Sequence, residues 1–126
     1  MATLLAKRIL LAEDDPVGSR LLGLALADAG AIVEIVSDGQ RAKDELDLGI
    51  YDALVTDWML PNVSGIDLVR HLQTMRFRPY VIVVSAIDVS IDDASLHAHR
   101  AGADAFFAKP LVPKMIIEAL GIAIAG

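Results

Sequence analysis

The sequence has no cysteine at any of its 126 positions, which excludes a disulfide scaffold, a thiolate zinc site, an iron–sulfur cluster and a cysteine nucleophile. Its chemistry must use oxygen or nitrogen. Basic residues are scarce as well: eleven Lys and Arg against seventeen Asp and Glu leave a formal net charge of −6. That offers no electrostatic footprint for nucleic-acid phosphates or an anionic membrane. A cation or a basic partner fits better. No stretch reaches the roughly 18 uncharged apolar residues of a membrane span. The segment from Met1 to Arg8 also lacks the apolar core of a secretory signal, so the expected location is the cytoplasm. Repeats, low-complexity tracts and Pro/Ser-rich linkers are missing too, which predicts one domain over residues 1–126. Apolar side chain is plentiful: 55% hydrophobic against 22% charged residues is enough to build a core.

Short apolar runs of strand length recur along the chain: Ile9-Leu10-Leu11-Ala12, Ile32-Val33-Glu34-Ile35-Val36, Ala53-Leu54-Val55-Thr56, Val81-Ile82-Val83-Val84 and Ala105-Phe106-Phe107-Ala108. Runs this continuous mark strands covered on both faces. A helical stretch follows each. The first has Asp15 as N-cap, Pro16 at the first helical position, Val17, Leu21 and Leu24 on one face, and Gly30 as the stop. Ser64 with Asp67 three residues on resembles a capping box, ahead of a stripe of Leu68, Val69, Leu72 and Met75. Residues 40–48 and 91–101 carry weaker helical patterns, and Pro113 opens a last helix. Five strand-then-helix units predict a parallel sheet with helices on both sides, a three-layer α/β/α sandwich, because parallel strands need crossovers. In such sheets ligands sit beyond the carboxyl ends of the strands.

Those ends are polar here. The first strand runs into Glu13-Asp14-Asp15, the third into Asp57, the fourth into Ser85 and the fifth into Lys109-Pro110. If Glu13, Asp14 and Asp57 converge, their repulsion amounts to a few kcal/mol per pair at an effective dielectric of about 20. Lys109 supplies one compensating charge, and a divalent cation would supply the rest. All-oxygen ligation by few carboxylates suits Mg²⁺. With that neutralisation, Asp57 is the best-placed carboxylate to attack phosphorus. Asp15, before Pro16, reads as a helix cap rather than a ligand.

The blocks Ala12-Glu13-Asp14-Asp15-Pro16, Val55-Thr56-Asp57-Trp58-Met59-Leu60-Pro61-Asn62-Val63-Ser64-Gly65, Val83-Val84-Ser85-Ala86 and Ala101 to Pro110 occur in an order that resembles the receiver domains of two-component response regulators. The resemblance covers essentially the whole chain and implies a flavodoxin-like (βα)5 fold. It implies that Asp57 accepts a phosphoryl group from a histidine kinase or phosphotransfer protein. Asp14 would bind Mg²⁺ directly and Glu13 through water, with Asp57 and the backbone carbonyl of Met59 completing the protein ligands. Lys109 and the Ser85 hydroxyl would contact phosphoryl oxygens, and Ser85 would couple to Phe106 as a switch. Phe106 lacks the hydroxyl of the commoner tyrosine.

Met59 and Ile87, each two residues beyond a site residue, offer no group to orient an attacking water, so slow loss of the phosphoryl group is expected. His71, His97 and His99 have no strand-end partner in this reading and receive no role. Trp58 sits beside the acceptor, either packed or as a reporter of the site. The final helix is apolar around most of its circumference, with Lys114 and Glu118 as its charged residues. That predicts a homodimer or output-partner surface around the fourth and fifth helices. Two rivals remain. An aspartyl-nucleophile phosphohydrolase would want a second acid where Met59 stands. A receiver-like binding module that is never phosphorylated would have no use for the acids and Lys109 together. A flavin or nucleotide carrier would need a phosphate-cradling loop where Glu13-Asp14-Asp15 repels phosphate.

Overall fold

The structure is a computed structural model that describes residues 3–86 and 90–125. Ten elements alternate without exception: β1 (Arg8–Ala12), α1 (Pro16–Asp28), β2 (Ile32–Val36), α2 (Gly39–Leu48), β3 (Ala53–Asp57), α3 (Gly65–Leu72), β4 (Tyr80–Ser85), α4 (Ile91–Ala101), β5 (Ala105–Ala108) and α5 (Pro113–Ile124). All pairings are parallel, in the order β2-β1-β3-β4-β5. The expected three-layer sandwich is therefore the observed one.

Strand alternation divides the core in two. Leu10, Leu54, Val81 and Val83 point to one side of the sheet, with Leu46, Leu68 and Leu72 from α2 and α3. Ile9, Leu11, Val55, Ile82 and Val84 point to the other, with Leu22 and Leu26 of α1 and Ile116 and Leu120 of α5. The central strands β1, β3 and β4 are covered on both faces, as their continuous apolar runs predict. β2 is an edge strand and departs from that expectation, with Ile32 and Ile35 exposed.

Local signals explain most boundaries. Asp15 caps α1, its Oδ1 and Oδ2 accepting from the N–H groups of Val17 and Gly18. Ser64 Oγ accepts from Asp67 N–H at 3.1 Å, the forward arm of a capping box, while the Asp67 carboxylate turns to Arg70 instead. Gly102 ends α4 in a left-handed conformation, φ 119°, that a side chain would strain. Met75, expected on the α3 stripe, lies past the end of that helix in a turn.

One helix carries its apolar stripe on the outside, and another shows the surplus apolar face expected of it. Val17, Leu21 and Leu24 of α1 form a single stripe, but it is the outer one, each residue about 60% exposed or more. Ser19, Leu22, Gly23 and Leu26 face the sheet. A Cβ on Gly23 would meet the tip of the Ile35 side chain of β2, 2.7 Å away. α5 buries Ile116 and Leu120 and leaves Met115 and Ile122 exposed, the surplus apolar face expected of it. Among the described residues no helix is long and apolar enough to cross a membrane.

Candidate functional site

Register alone brings the polar strand ends together. Ala12 pairs with Thr56, Asp57 with Val84, and Ser85 with Ala108. The next residue in each case is therefore delivered to the same edge of the sheet. Glu13, Asp57, Ser85 and Lys109 end up as neighbours although 96 residues separate the first from the last. Ladder bonds continue past the strands and fix this level: Glu13 N–H donates to Val36 O, Trp58 N–H to Val84 O and Lys109 N–H to Ser85 O.

Glu13 and Asp57 are both buried, whereas Asp14 is exposed. Each of the three offers a carboxylate oxygen within 4.8 Å of the others, an arrangement that could hold a metal ion. Lys109 bridges the two buried acids, donating to Asp57 Oδ2 at 2.8 Å and to Glu13 Oε2 at 3.0 Å. The other Glu13 oxygen accepts from Asp15 N–H at 3.0 Å. Asp57 Oδ1 is less engaged, with Met59 N–H at 3.4 Å.

Burial lifts the Glu13 carboxyl above its ordinary 4.5, against the opposing pull of the Asp15 amide and the Lys109 ammonium, and the nearby Asp57 charge lifts it further. Burial pulls Lys109 down. The hydrogen bonds to Asp57 and Glu13, with their charges, outweigh that and hold the ammonium above its ordinary 10.5. The site is thus acidic overall, with one cation shared between two buried anions. Its donor set of hard carboxylate oxygens suits Mg²⁺ better than a soft metal.

Gly65 keeps the loop after Asp57 tight. Its N–H donates to Trp58 O at 2.8 Å, and any Cβ there would overlap the Asp57 carbonyl oxygen. Ser85 Oγ donates to Ala86 O at 3.2 Å. Met59 is exposed, and Ile87, the other residue expected to leave water unguided, lies outside the described residues. Phe106 and Phe107 are half-buried on opposite faces of β5, so neither is a fully enclosed core ring.

The sequence reading missed two features. His97, left without a strand-end partner, packs against Trp58 with ring centroids 5.1 Å apart at 70°. Phe106 meets the same indole, at 6.2 Å and 86°. Spacing along α4 could not show this, because it depends on where α4 lies relative to the residue that follows β3. His71 meets Asp47 at 2.7 Å and His99 Nδ1 lies 2.8 Å from Ser95 O, both away from the acidic cluster. The second feature is a cavity of about 340 Å³ between α1 and the start of α5, bordered by Val17, Leu21, Leu22, Pro110 and Leu111 and reaching Glu13 and Lys109. The surplus of leucine around α1 was the available signal.

Residues 9–121 match the family model described as the response regulator receiver domain. The transcriptional regulatory protein TcrA of Mycobacterium tuberculosis is 36% identical over 103 residues, 82% of this chain and 40% of TcrA. The chain therefore spans well under half of that relative. The receiver domain of the sensor histidine kinase PA1611 from Pseudomonas aeruginosa, solved with a magnesium ion coordinated in its active site cleft, superposes with a TM-score of 0.85 at 27% identity, covering 96% of this chain and 99% of that one. A response regulator from Burkholderia pseudomallei, solved with a phosphorylated aspartic acid, calcium ion and citrate, gives 0.80 at 25% identity, covering 90% of this chain and 66% of that one.

Proposed function

The chain belongs to the response regulator receiver domain family, and from that premise we propose that it is a cytoplasmic phosphorylation switch whose acceptor is Asp57. The observation that carries this reading is the Lys109 bridge between Asp57 and Glu13 beside the exposed Asp14 carboxylate. A buried carboxylate pair sharing one ammonium is expensive to maintain for structure alone. It is well suited to a carboxylate that must meet a phosphoryl group.

In the proposed reaction a carboxylate oxygen of Asp57 forms a bond to phosphorus as the P–N bond of a donor phosphohistidine breaks, leaving an acyl phosphate and a free imidazole. Asp14 and Asp57 would hold Mg²⁺ directly, with the Met59 carbonyl, and Glu13 would hold it through water. The ion, when bound, supplies positive charge against the phosphoryl oxygens. Lys109 reaches a phosphoryl oxygen from the position where it now holds Asp57. Ser85, whose hydroxyl is turned to Ala86 O, would exchange that bond for a phosphoryl oxygen as its loop moves inward, with Phe106 following. Met59 lacks a polar group, so hydrolysis is slow.

The phosphodonor is a histidine kinase or histidine phosphotransfer protein. To bring a histidine to Asp57 it must rest beside the open edge of the site, and the exposed Val17–Leu21–Leu24 stripe with its adjoining cavity is the apolar surface there. The exposed Met115 and Ile122 of α5, with Ile91 and Leu96 of α4, supply the surface for a second copy or an output partner. Turnover of a free phosphate ester is disfavoured, because Met59 occupies the position from which a general acid would act.

Incubation with acetyl phosphate and Mg²⁺, followed by intact-mass measurement, tests the reading. The wild type should gain one phosphoryl group and Asp57→Asn none. A phosphoryl group retained by the variant would refute the assignment.

A further inference from the structure

Trp58 is held at both ends of its backbone, its N–H donating to Val84 O and its carbonyl accepting from Gly65 N–H, each at 2.8 Å. The indole is therefore the part of this residue that can respond to changes at Asp57. Two rings from other elements meet it edge-on, His97 of α4 and Phe106 of β5. His97 is otherwise exposed, in the second turn of α4. The chain thus has an aromatic bridge from the residue beside the acceptor to a helix on the molecular surface.

We propose that His97 is a positioning residue that acts through Trp58, latching α4 in the resting arrangement and so opposing the activated one. This rests on the reading of Asp57 as acceptor. The Ser85 hydroxyl donates to Ala86 O at 3.2 Å, and the latch takes this arrangement as the resting one. Ser85 ends β4 and His97 lies on α4, the next element, so in this proposal the inward movement of Ser85 displaces α4. Edge-to-face packing is short-ranged, so a small shift of α4 breaks it. Phe106 cannot substitute a hydroxyl hydrogen bond for the lost packing, and its ring meets the same indole at 6.2 Å. By linkage, whatever the His97–Trp58 contact contributes at rest is subtracted from activation, and for an aromatic pair that corresponds to a roughly 2- to 10-fold shift in the equilibrium.

Beryllofluoride with Mg²⁺, a stable phosphoryl mimic, provides the test on the whole chain. Its affinity is measured by calorimetry, and emission is followed from Trp58, the single tryptophan. His97→Ala should bind beryllofluoride roughly 2- to 10-fold more tightly than the wild type. Its ligand-free emission should move toward that of the loaded wild type, and His97→Phe, which keeps a ring edge, should restore both values. Wild-type or weaker affinity in His97→Ala, even with altered thermal stability, would overturn the latch and leave the acceptor assignment standing. No binding heat with the wild type would remove the acceptor reading and the latch together.

Discussion

Replacing Lys109 by methionine isolates the electrostatics of the site, because methionine keeps an apolar stem and deletes the ammonium. In the metal-free protein the variant leaves Glu13 and Asp57 buried and facing one another. Removing one partner of a fully buried ion pair costs about 3–5 kcal/mol. The Lys109 side chain is 27% exposed, against 6% and 9% for Glu13 and Asp57, so solvent screens part of that and about 2–3 kcal/mol is expected. For a domain of this size that lowers the melting temperature by roughly 6–15 °C. The sign with pH follows from the two shifted groups. The raised Lys109 pKa means that its stabilising contribution is complete below 10.5 and is lost as pH climbs through the higher value. In acid the gap closes as Glu13 takes a proton, earlier than an ordinary glutamate would because burial lifts it above 4.5. The variant should also bind Mg²⁺ about tenfold more tightly, since the three acids then face no fixed cation. Calorimetry in EDTA and in Mg²⁺ reads both effects. A variant that melts with the wild type and binds Mg²⁺ no better would refute the reasoning.

Leu21→Glu should sharply slow phosphorylation by a phosphorylated histidine protein and leave the acetyl phosphate rate unchanged; equal loss with both donors would show that the α1 stripe is not the docking surface. Gly65→Ala forces the acceptor backbone outward and should lower stability by about 1–3 kcal/mol in urea unfolding, with loss of phosphoryl uptake by mass. Asp104 accepts from Val81 N–H at 2.8 Å and from both terminal nitrogens of Arg78. Asp104→Ala should therefore cost about 1–3 kcal/mol in the same assay while phosphorylation proceeds at the wild-type rate. Met115→Glu with Ile122→Glu should abolish beryllofluoride-dependent dimerisation in sedimentation, and a wild type that stays monomeric with and without the mimic removes the homodimer.

The order of elements and the polar residues that gather at the strand ends were legible because both depend on features local to one strand. A run such as Val81 to Val84 is long enough to name a buried strand, and the residue after it is displayed by topology whatever its neighbours do. Asp15 and Ser64 announced their helices because a cap bonds within three residues of itself. What depends on a second element was not legible. α1 carries leucine and valine around most of its surface, so periodicity marked Val17, Leu21 and Leu24 as a stripe without saying whether sheet or solvent lay against it. The sheet takes the other face, Ser19, Leu22, Gly23 and Leu26, and that packing joins two elements. The His97–Trp58 packing is of the same kind, joining α4 to the residue that follows β3.

At rest the cluster has three carboxylates, Glu13, Asp14 and Asp57, and one ammonium, which sums to −2. Phosphorylation as proposed exchanges the single charge of Asp57 for a phosphoryl group carrying roughly −2. The site becomes more negative just as Lys109 must leave the carboxylate oxygen it holds. Further donors have to be recruited, and Ser85, the hydroxyl at the neighbouring strand end, can come only by giving up Ala86 O. The inward movement is then driven by charge, and it needs no hydroxyl on Phe106. Opposing it are the packing contacts of the helix that follows Ser85, with His97 on Trp58 among them. The balance between those two terms sets how completely one phosphoryl group turns this switch.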